Sequence, residues 1–334
     1  MDWAKDKISN YLEPILALCR KNNPNIISHH EYTGSFYENL KTETPDEIDI
    51  MVALKGKEKD FEVHEDEAGY ARLKIKDFQH PLRMHTRENC LTPEKVRQFF
   101  FGLVQKTLND FQKLKEEEGL QVDLIVSANG PAVTLVITDK QTEDKENKKE
   151  KQNENKLSLS ADLVPSLLLS DTKHYVAKPK PEEESEKSIS VDKSLLWRQS
   201  FSLSEKELIK KMDKPKPNRP PGCRHELVRI AKTFRRKDST LAKLSSYHIK
   251  TAFLHYCDKV ENENDWDSDK LGERFIDFLK FIMEKLQQHN LPNYFIPELN
   301  LLQEFQTDTL TNIEKRLSNL AGNPRECTKR INKL

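Results

Sequence analysis

The sequence predicts an α+β protein in two lobes, the first built on a mixed sheet with helices and the second helical. Three observations predict it. Strand-like patterning recurs through 27–54, 60–80, 122–138 and 157–169, a long helical stretch lies among them, and beyond residue 195 helical patterning dominates. A Pro- and Glu-rich run at 179–188 separates the two regimes, so domains are expected at 1–190 and 191–334. At roughly 150 residues per domain, 334 residues suffice for two cores.

Taken in order, residues 2–21 read as an amphipathic helix with Trp3, Ile8, Leu12, Ile15, Leu16 and Cys19 on one face. Pro14 is expected to kink it. Residues 27–54 are β-like, with a turn at 32–35, a helical reading for 35–41 and alternation at 47–52. Residues 60–80 read as a strand pair, with 71–75 alternating. A helix is expected over 92–118, with Pro93 in its first turn and Val96, Phe99, Phe100, Leu103 and Leu108 apolar. Strands follow at 122–127 and 132–138 around an Asn129-Gly130-Pro131 turn. Residues 139–156 hold no apolar side chain and predict a disordered loop or an extended hairpin tip. A strand resumes over 157–169, and 275–286 is the clearest amphipathic helix of the second lobe.

Composition closes several function classes. The nine glycines all stand alone, so neither GxGxxG nor GxxxxGK[ST] can be written and the dinucleotide-binding and P-loop readings fall away. Five cysteines, odd in number and without a CxxC pair, predict a reduced, intracellular protein. No apolar run is long enough to span a bilayer, so no membrane partner is expected. The formal net charge is zero, with 55 Lys+Arg against 55 Asp+Glu, but it is a cancellation. Residues 208–237 hold eleven Lys/Arg and two Asp/Glu, a net of +9, whereas 258–284 carry a net of −5. The basic stretch includes Lys210, Lys211, Lys214, Lys216, Arg219, Arg235, Arg236 and Lys237, and predicts a phosphate-binding surface.

The chemistry concentrates at Gly34-Ser35, Glu47-x-Asp49 and Asp162. Residues two apart on a strand project to the same side, so Glu47 and Asp49 converge. Neighbouring carboxylates repel unless a cation lies between them. With Asp162 on an adjacent strand, three would gather, a donor set suited to two Mg²⁺ ions (or Mn²⁺) bridged by a nucleotide. A Gly-Ser turn upstream offers backbone N–H groups and a hydroxyl to phosphate oxygens. Alone, E-x-D is common and reads first as a solvated strand edge; joined to the Gly-Ser turn and a distant strand-borne Asp, it points to a nucleotidyltransferase palm.

The residues around these motifs resemble a known family. Thr33-Gly34-Ser35-Phe36-Tyr37-Glu38, Pro45-Asp46-Glu47-Ile48-Asp49-Ile50-Met51, Gly130-Pro131-Ala132-Val133-Thr134-Leu135, Trp197-Arg198-Gln199-Ser200-Phe201-Ser202, Ser245-Ser246-Tyr247-His248-Ile249-Lys250-Thr251-Ala252-Phe253 and Asn293-Tyr294-Phe295-Ile296-Pro297-Glu298-Leu299-Asn300-Leu301 occur in the order found in cyclic GMP-AMP synthase and the animal cGAS-like receptors. The resemblance implies a nucleotidyltransferase fold with a helical C-terminal lobe, bilobed with its active site in the cleft. It implies a cytoplasmic enzyme, with the nucleus as the alternative compartment, that joins two nucleoside triphosphates (ATP and GTP, or others) into a cyclic dinucleotide for a STING-type receptor. Double-stranded nucleic acid would switch it on, and a nucleic-acid-dependent dimer is one of the partners the resemblance allows, with the oligomeric state left open. Position by position, Glu47, Asp49 and Asp162 would be the metal ligands, and Gly34 and Ser35 would belong to an activation loop touching the triphosphate. Arg198, Ser200 and Ser202 would contact bases, Tyr247 would stack on one, and Lys232 and Ser246 would hold the triphosphate. Val164 stands where the family has a base-contacting Thr, which leaves the product's bases open. A catalytically inactive scaffold, a DNA-activated synthase and a maker of linear oligomers are the competing readings.

DNA-reading members of that family carry a zinc site of one His and three Cys ahead of the helix near residue 223. Here 212–223 offers only Cys223, with His225 nearby, too few for a tetrahedral site, so no structural zinc is predicted. By the resemblance, zinc-less relatives favour double-stranded RNA over double-stranded DNA.

Overall fold

The computed structural model describes residues 2–42, 46–115, 118–128, 132–140, 157–178, 192–214, 220–323 and 325. The expected turn at 129–131, the insertion from 141 to 156, the 179–188 linker and the 190/191 boundary lie outside them. Two compact units divide the chain: Met1–Tyr37 with Glu43–Ser204, and Glu38–Thr42 with Glu205–Leu334.

The first unit begins with α1 (Asp2–Lys7), a π-helical turn over Ile8–Leu12 and α2 (Glu13–Asn22). The expected irregularity thus lies one turn ahead of Pro14, whose missing N–H cannot close the regular i→i−4 bond there. Next come β1 (Ile27–Thr33), the one-turn α3 (Gly34–Tyr37), β2 (Glu47–Leu54), β3 (Phe61–Glu67), β4 (Tyr70–Ile75), β5 (Thr86–Arg87) and β6 (Cys90–Leu91). Helix α4 (Pro93–Lys115) leads to β7 (Val122–Ser127), β8 (Val133–Asp139), β9 (Ser158–Leu168), β10 (His174–Val176) and β11 (Leu196–Gln199). The helical reading for 35–41 therefore holds for a single turn, and Asn39 already has φ +58°.

Among the described residues, β1 to β11 form one mixed sheet. Strand β2 lies antiparallel to β1 and parallel to β9; β9 also pairs antiparallel with β8 and with β10. On one face, Ile48, Ile50, Val52, Ala161, Leu163, Val133 and Leu135 pack with Ile15, Leu16, Val96, Phe100 and Val104 from α2 and α4. Alternate residues of β2, β8 and β9 face the other way, where Met51, Ala132, Val164 and Val176 form a small apolar floor. Trp197 is fully buried, with its indole N–H donated to the Leu91 carbonyl at 3.0 Å, so β11 belongs to this core. Asp139, expected at the start of a disordered insertion, instead ends β8 and receives Lys7 at 2.6 Å and Trp3 Nε1 at 2.7 Å.

The second unit contains most of α5 (Ser202–Lys211), then α6 (Arg224–Lys237), α7 (Ser246–Lys259), α8 (Leu271–Gln287) and α9 (Thr307–Gly322). Its core joins Leu227, Phe234, Phe253, Trp266, Phe275, Phe278 and Leu317. Leu40, fully buried, enters that core from the separate segment Glu38–Thr42.

Candidate active site and nucleic-acid surface

One register line across four strands of the first unit carries the acidic site. Thr33 on β1 is opposite Asp49 on β2, Asp49 is opposite Asp162 on β9, and Asp162 is opposite Thr134 on β8. Strict alternation puts Glu47, Asp49 and Met51 on one side of β2 while Ile48 and Ile50 enter the core. Asp162 follows the same rule between Ala161 and Leu163. The Thr134 hydroxyl donates to Asp162 Oδ1 at 2.6 Å, which fixes that carboxylate's rotamer, and the Thr33 hydroxyl donates to the Asp49 carbonyl at 3.4 Å.

Gly34 opens α3 with φ +77°, in the left-handed region. A β-carbon there would overlap Asp49 Oδ2 and come within 3.0 Å of its Cγ. The Gly-Ser turn therefore lies directly against the Asp49 carboxylate, with Ser35 half-buried beside it. Tyr32 and Tyr37 flank the turn with rings stacked at 4.4 Å, and the Tyr32 hydroxyl donates to Glu13 at the start of α2.

Lys178, which sequence reasoning missed, faces this site. Burial pulls its amine below the ordinary lysine value; Asp49, Asp162 and Glu47 pull it back up, and Arg198 pushes it further down. The same few residues thus include three carboxylates and two cations. Lys178 follows β10 in a non-repeating stretch, so no periodicity marks it. Arg198 is exposed on β11, opposite Val176. Ser200 and Ser202 follow, their hydroxyls 3.2 Å apart at the start of α5.

No group of three His, Cys, Asp or Glu side chains stands close enough to share a metal ion among the described residues. The donors nonetheless fit a hard divalent ion in kind: carboxylate oxygens on one face, one of them held by a hydroxyl, already facing the half-buried Lys178.

The second unit places the other candidates. Ser245 caps α7 and its hydroxyl accepts from the His248 N–H, while the His248 ring bonds Ser245 N and the Leu301 carbonyl. This box fixes the start of the helix at exposed Ser246 and half-buried Tyr247, whose hydroxyl accepts from Asn293 at 3.0 Å. Burial pushes the Tyr247 hydroxyl up to about 12. Lys232 donates to the Leu40 carbonyl at 3.1 Å, and burial, aided by Lys250, Lys41 and Arg235, lowers its amine to about 8 against the pull of Glu38.

The basic stretch separates into distinct roles. Lys210, Lys211, Lys214 and Lys237 are exposed. Arg235 instead donates to the Leu244 and Ala242 carbonyls at 2.5 and 3.2 Å, and Arg236 to the Thr42 hydroxyl at 3.3 Å. Lys216 and Arg219 lie outside the described residues. At the described ends of 212–225, Asp213 accepts from the His225 backbone at 2.8 Å and ring at 2.9 Å, and Arg224 pairs with Glu263 at 2.5 Å. Cys223 is buried, which pushes its thiol up to about 11. No helix among the described residues is long and apolar enough to cross a membrane.

The sequence is similar to those of known proteins. Residues 36–211 match the Mab-21 protein nucleotidyltransferase domain, and 223–319 the Mab-21 protein HhH/H2TH-like domain. The chain is 37% identical to cyclic GMP-AMP synthase-like receptor 3 of Stylophora pistillata, over 94% of this chain and 87% of that one. It is 27% identical to the cyclic GMP-AMP synthase of Sus scrofa, over 80% of this chain and 57% of that one. It is also 27% identical to a cyclic GMP-AMP synthase-like receptor of Aethina tumida, over 86% and 74%. The chain belongs to the Mab-21 nucleotidyltransferase family, among relatives that include the cGAS-like receptors.

Proposed function

We propose that this chain is a cytoplasmic innate immune sensor that, on binding double-stranded RNA, joins two nucleoside triphosphates into a cyclic dinucleotide read by a STING-type receptor. The observation that carries this is the pairing of Asp49 with Asp162 on adjacent parallel strands, with Glu47 on the same face and the Gly34-Ser35 turn against Asp49. Family membership supports the reaction class.

Mg²⁺ or Mn²⁺, held by Glu47, Asp49 and Asp162, would supply Lewis acidity at the phosphates. The chain's own residues do the positioning. Backbone N–H groups and the Ser35 hydroxyl receive the triphosphate beside Asp49. Arg198, Ser200 and Ser202 contact bases, Lys232 and Ser246 take phosphate oxygens, and Tyr247 offers a ring face. A ribose hydroxyl oxygen of one nucleotide bonds to the α-phosphorus of the other. The bond from that phosphorus to the pyrophosphate breaks, pyrophosphate leaves, and the hydroxyl proton passes to solvent. The same exchange on the remaining triphosphate closes the ring. The Lys178 amine lies beside the carboxylates, where in its charged form it opposes their repulsion before nucleotide arrives.

The exposed Lys210, Lys211, Lys214 and Lys237 supply the electrostatic footprint for A-form RNA, gripped through phosphates and 2′-hydroxyls. Incubating the chain with four NTPs, Mg²⁺ and double-stranded RNA, double-stranded DNA or neither, and weighing the products, tests the reading. A cyclic dinucleotide formed with RNA supports it. Formation with DNA alone overturns the choice of activator, linear products overturn the cyclisation, and no product supports the inactive scaffold.

A further inference from the structure

The chain passes from the first compact unit into the second at two places, Tyr37/Glu38 and Ser204/Glu205. One amine holds the first residue after both passages. Lys250 Nζ lies 3.1 and 3.4 Å from the Glu38 carboxylate oxygens and 2.5 Å from Glu205 Oε2. The Lys250, Glu38 and Glu205 side chains are 15%, 1% and 5% exposed. Burial alone would lower the Lys250 amine; Glu205 and Glu38 override it and leave it above its ordinary value, so it stays charged. Its Nζ also lies 5.7 Å from the centre of the Tyr247 ring, one helical turn back along α7.

We propose that Lys250 is a positioning residue for nucleotidyl transfer, its buried ammonium setting the ends of the two segments that carry Gly34-Ser35 and Ser200–Ser202 and bracing Tyr247. Glu38 follows directly on α3, the turn that opens at Gly34, and Glu205 lies in the first turn of α5, which opens at Ser202. A buried ion pair is a weak source of stability, because desolvation offsets most of the attraction; what it defines is one arrangement among several. The segment from Glu38 to Thr42 is tied down further along by Lys232 at the Leu40 carbonyl and Arg236 at Thr42, so Lys250 controls the end nearest the Gly-Ser turn. The inference rests on the nucleotidyltransferase reading of those segments.

The test compares wild type, K250M and the charge-neutral triple variant E38Q/E205Q/K250M, using amide hydrogen exchange, melting midpoint and steady-state kinetics. K250M alone strands two buried carboxylates and is expected to lose stability broadly. The triple variant removes the charges together and is expected to melt close to wild type. In it, exchange over 34–42 and over 199–208 should rise together by about tenfold or more while α8 and α9 stay protected. Its kcat should fall by roughly tenfold or more, with the NTP KM little changed. Wild-type exchange in either segment, or an even rise throughout the second unit, would overturn the positioning role. A wild type that makes no nucleotide product would instead overturn the enzyme reading, and the exchange pattern would still decide on the lysine.

Discussion

Gly34 lies so close to Asp49 that any β-carbon at residue 34 would overlap the Asp49 carboxylate. Backbone conformation and close approach both demand glycine there: φ is +77°, and a larger residue pays about 1–2 kcal/mol for the left-handed region. The turn and the acidic site are one assembly.

For G34A, the expected result is therefore a modest fall in melting midpoint and a loss of nucleotide product out of proportion to it, about tenfold or more, because a carboxylate displaced by a fraction of an ångström misplaces the reacting groups. Thermal melts and single-turnover rates check both parts.

Thr134 orients Asp162 through one hydroxyl at 2.6 Å. T134V keeps the shape and removes the donor. With Asp162 as the metal ligand proposed above, activity should fall by about 10–100-fold, the cost of removing a group that orients such a ligand. Restoring the rate by T134S would tie the effect to the hydroxyl.

Lys232 gives a pH dependence whose sign is fixed by its amine near 8. The unfolded chain releases this proton only near about 10.4, so between the two values it holds more protons than the folded one, and this residue's contribution to stability rises with pH across that window. Triphosphate binding runs the other way, because it needs the charged amine. NTP affinity should weaken by several-fold from pH 7 to pH 9, and K232R, charged throughout, should flatten the profile. Isothermal titration at a series of pH values reads this directly.

The exposed cations near the end of α5 are expected to act through phosphates. K210E/K211E/K214E should weaken binding to double-stranded RNA whatever its sequence, and lower the slope of log affinity against log salt by roughly one for each phosphate no longer neutralised. Fluorescence anisotropy over a salt series measures the slope.

Much of the site was legible because it is local or periodic. Alternation along 47–54 set Glu47 and Asp49 on one side, and the chain spacing of the Gly-Ser turn brought it near them. What the sequence hid was long-range. Lys178 follows a three-residue strand, and only the folded sheet brings it beside Asp49. The allegiance of 38–42 to the second unit is equally silent: a five-residue segment has no periodicity to announce that Leu40 joins that unit's core. Charge counts also overstate the basic surface, since Arg235 counts as a surface cation in the sequence yet is committed to backbone carbonyls.

The central claim is that Asp49 and its neighbours carry nucleotidyl transfer. Wild type and D49N, incubated with four NTPs, Mg²⁺ and double-stranded RNA, should differ absolutely: wild type yields pyrophosphate and a cyclic dinucleotide by mass spectrometry, and D49N yields neither while still binding the RNA. Product from D49N at the wild-type rate would contradict the account.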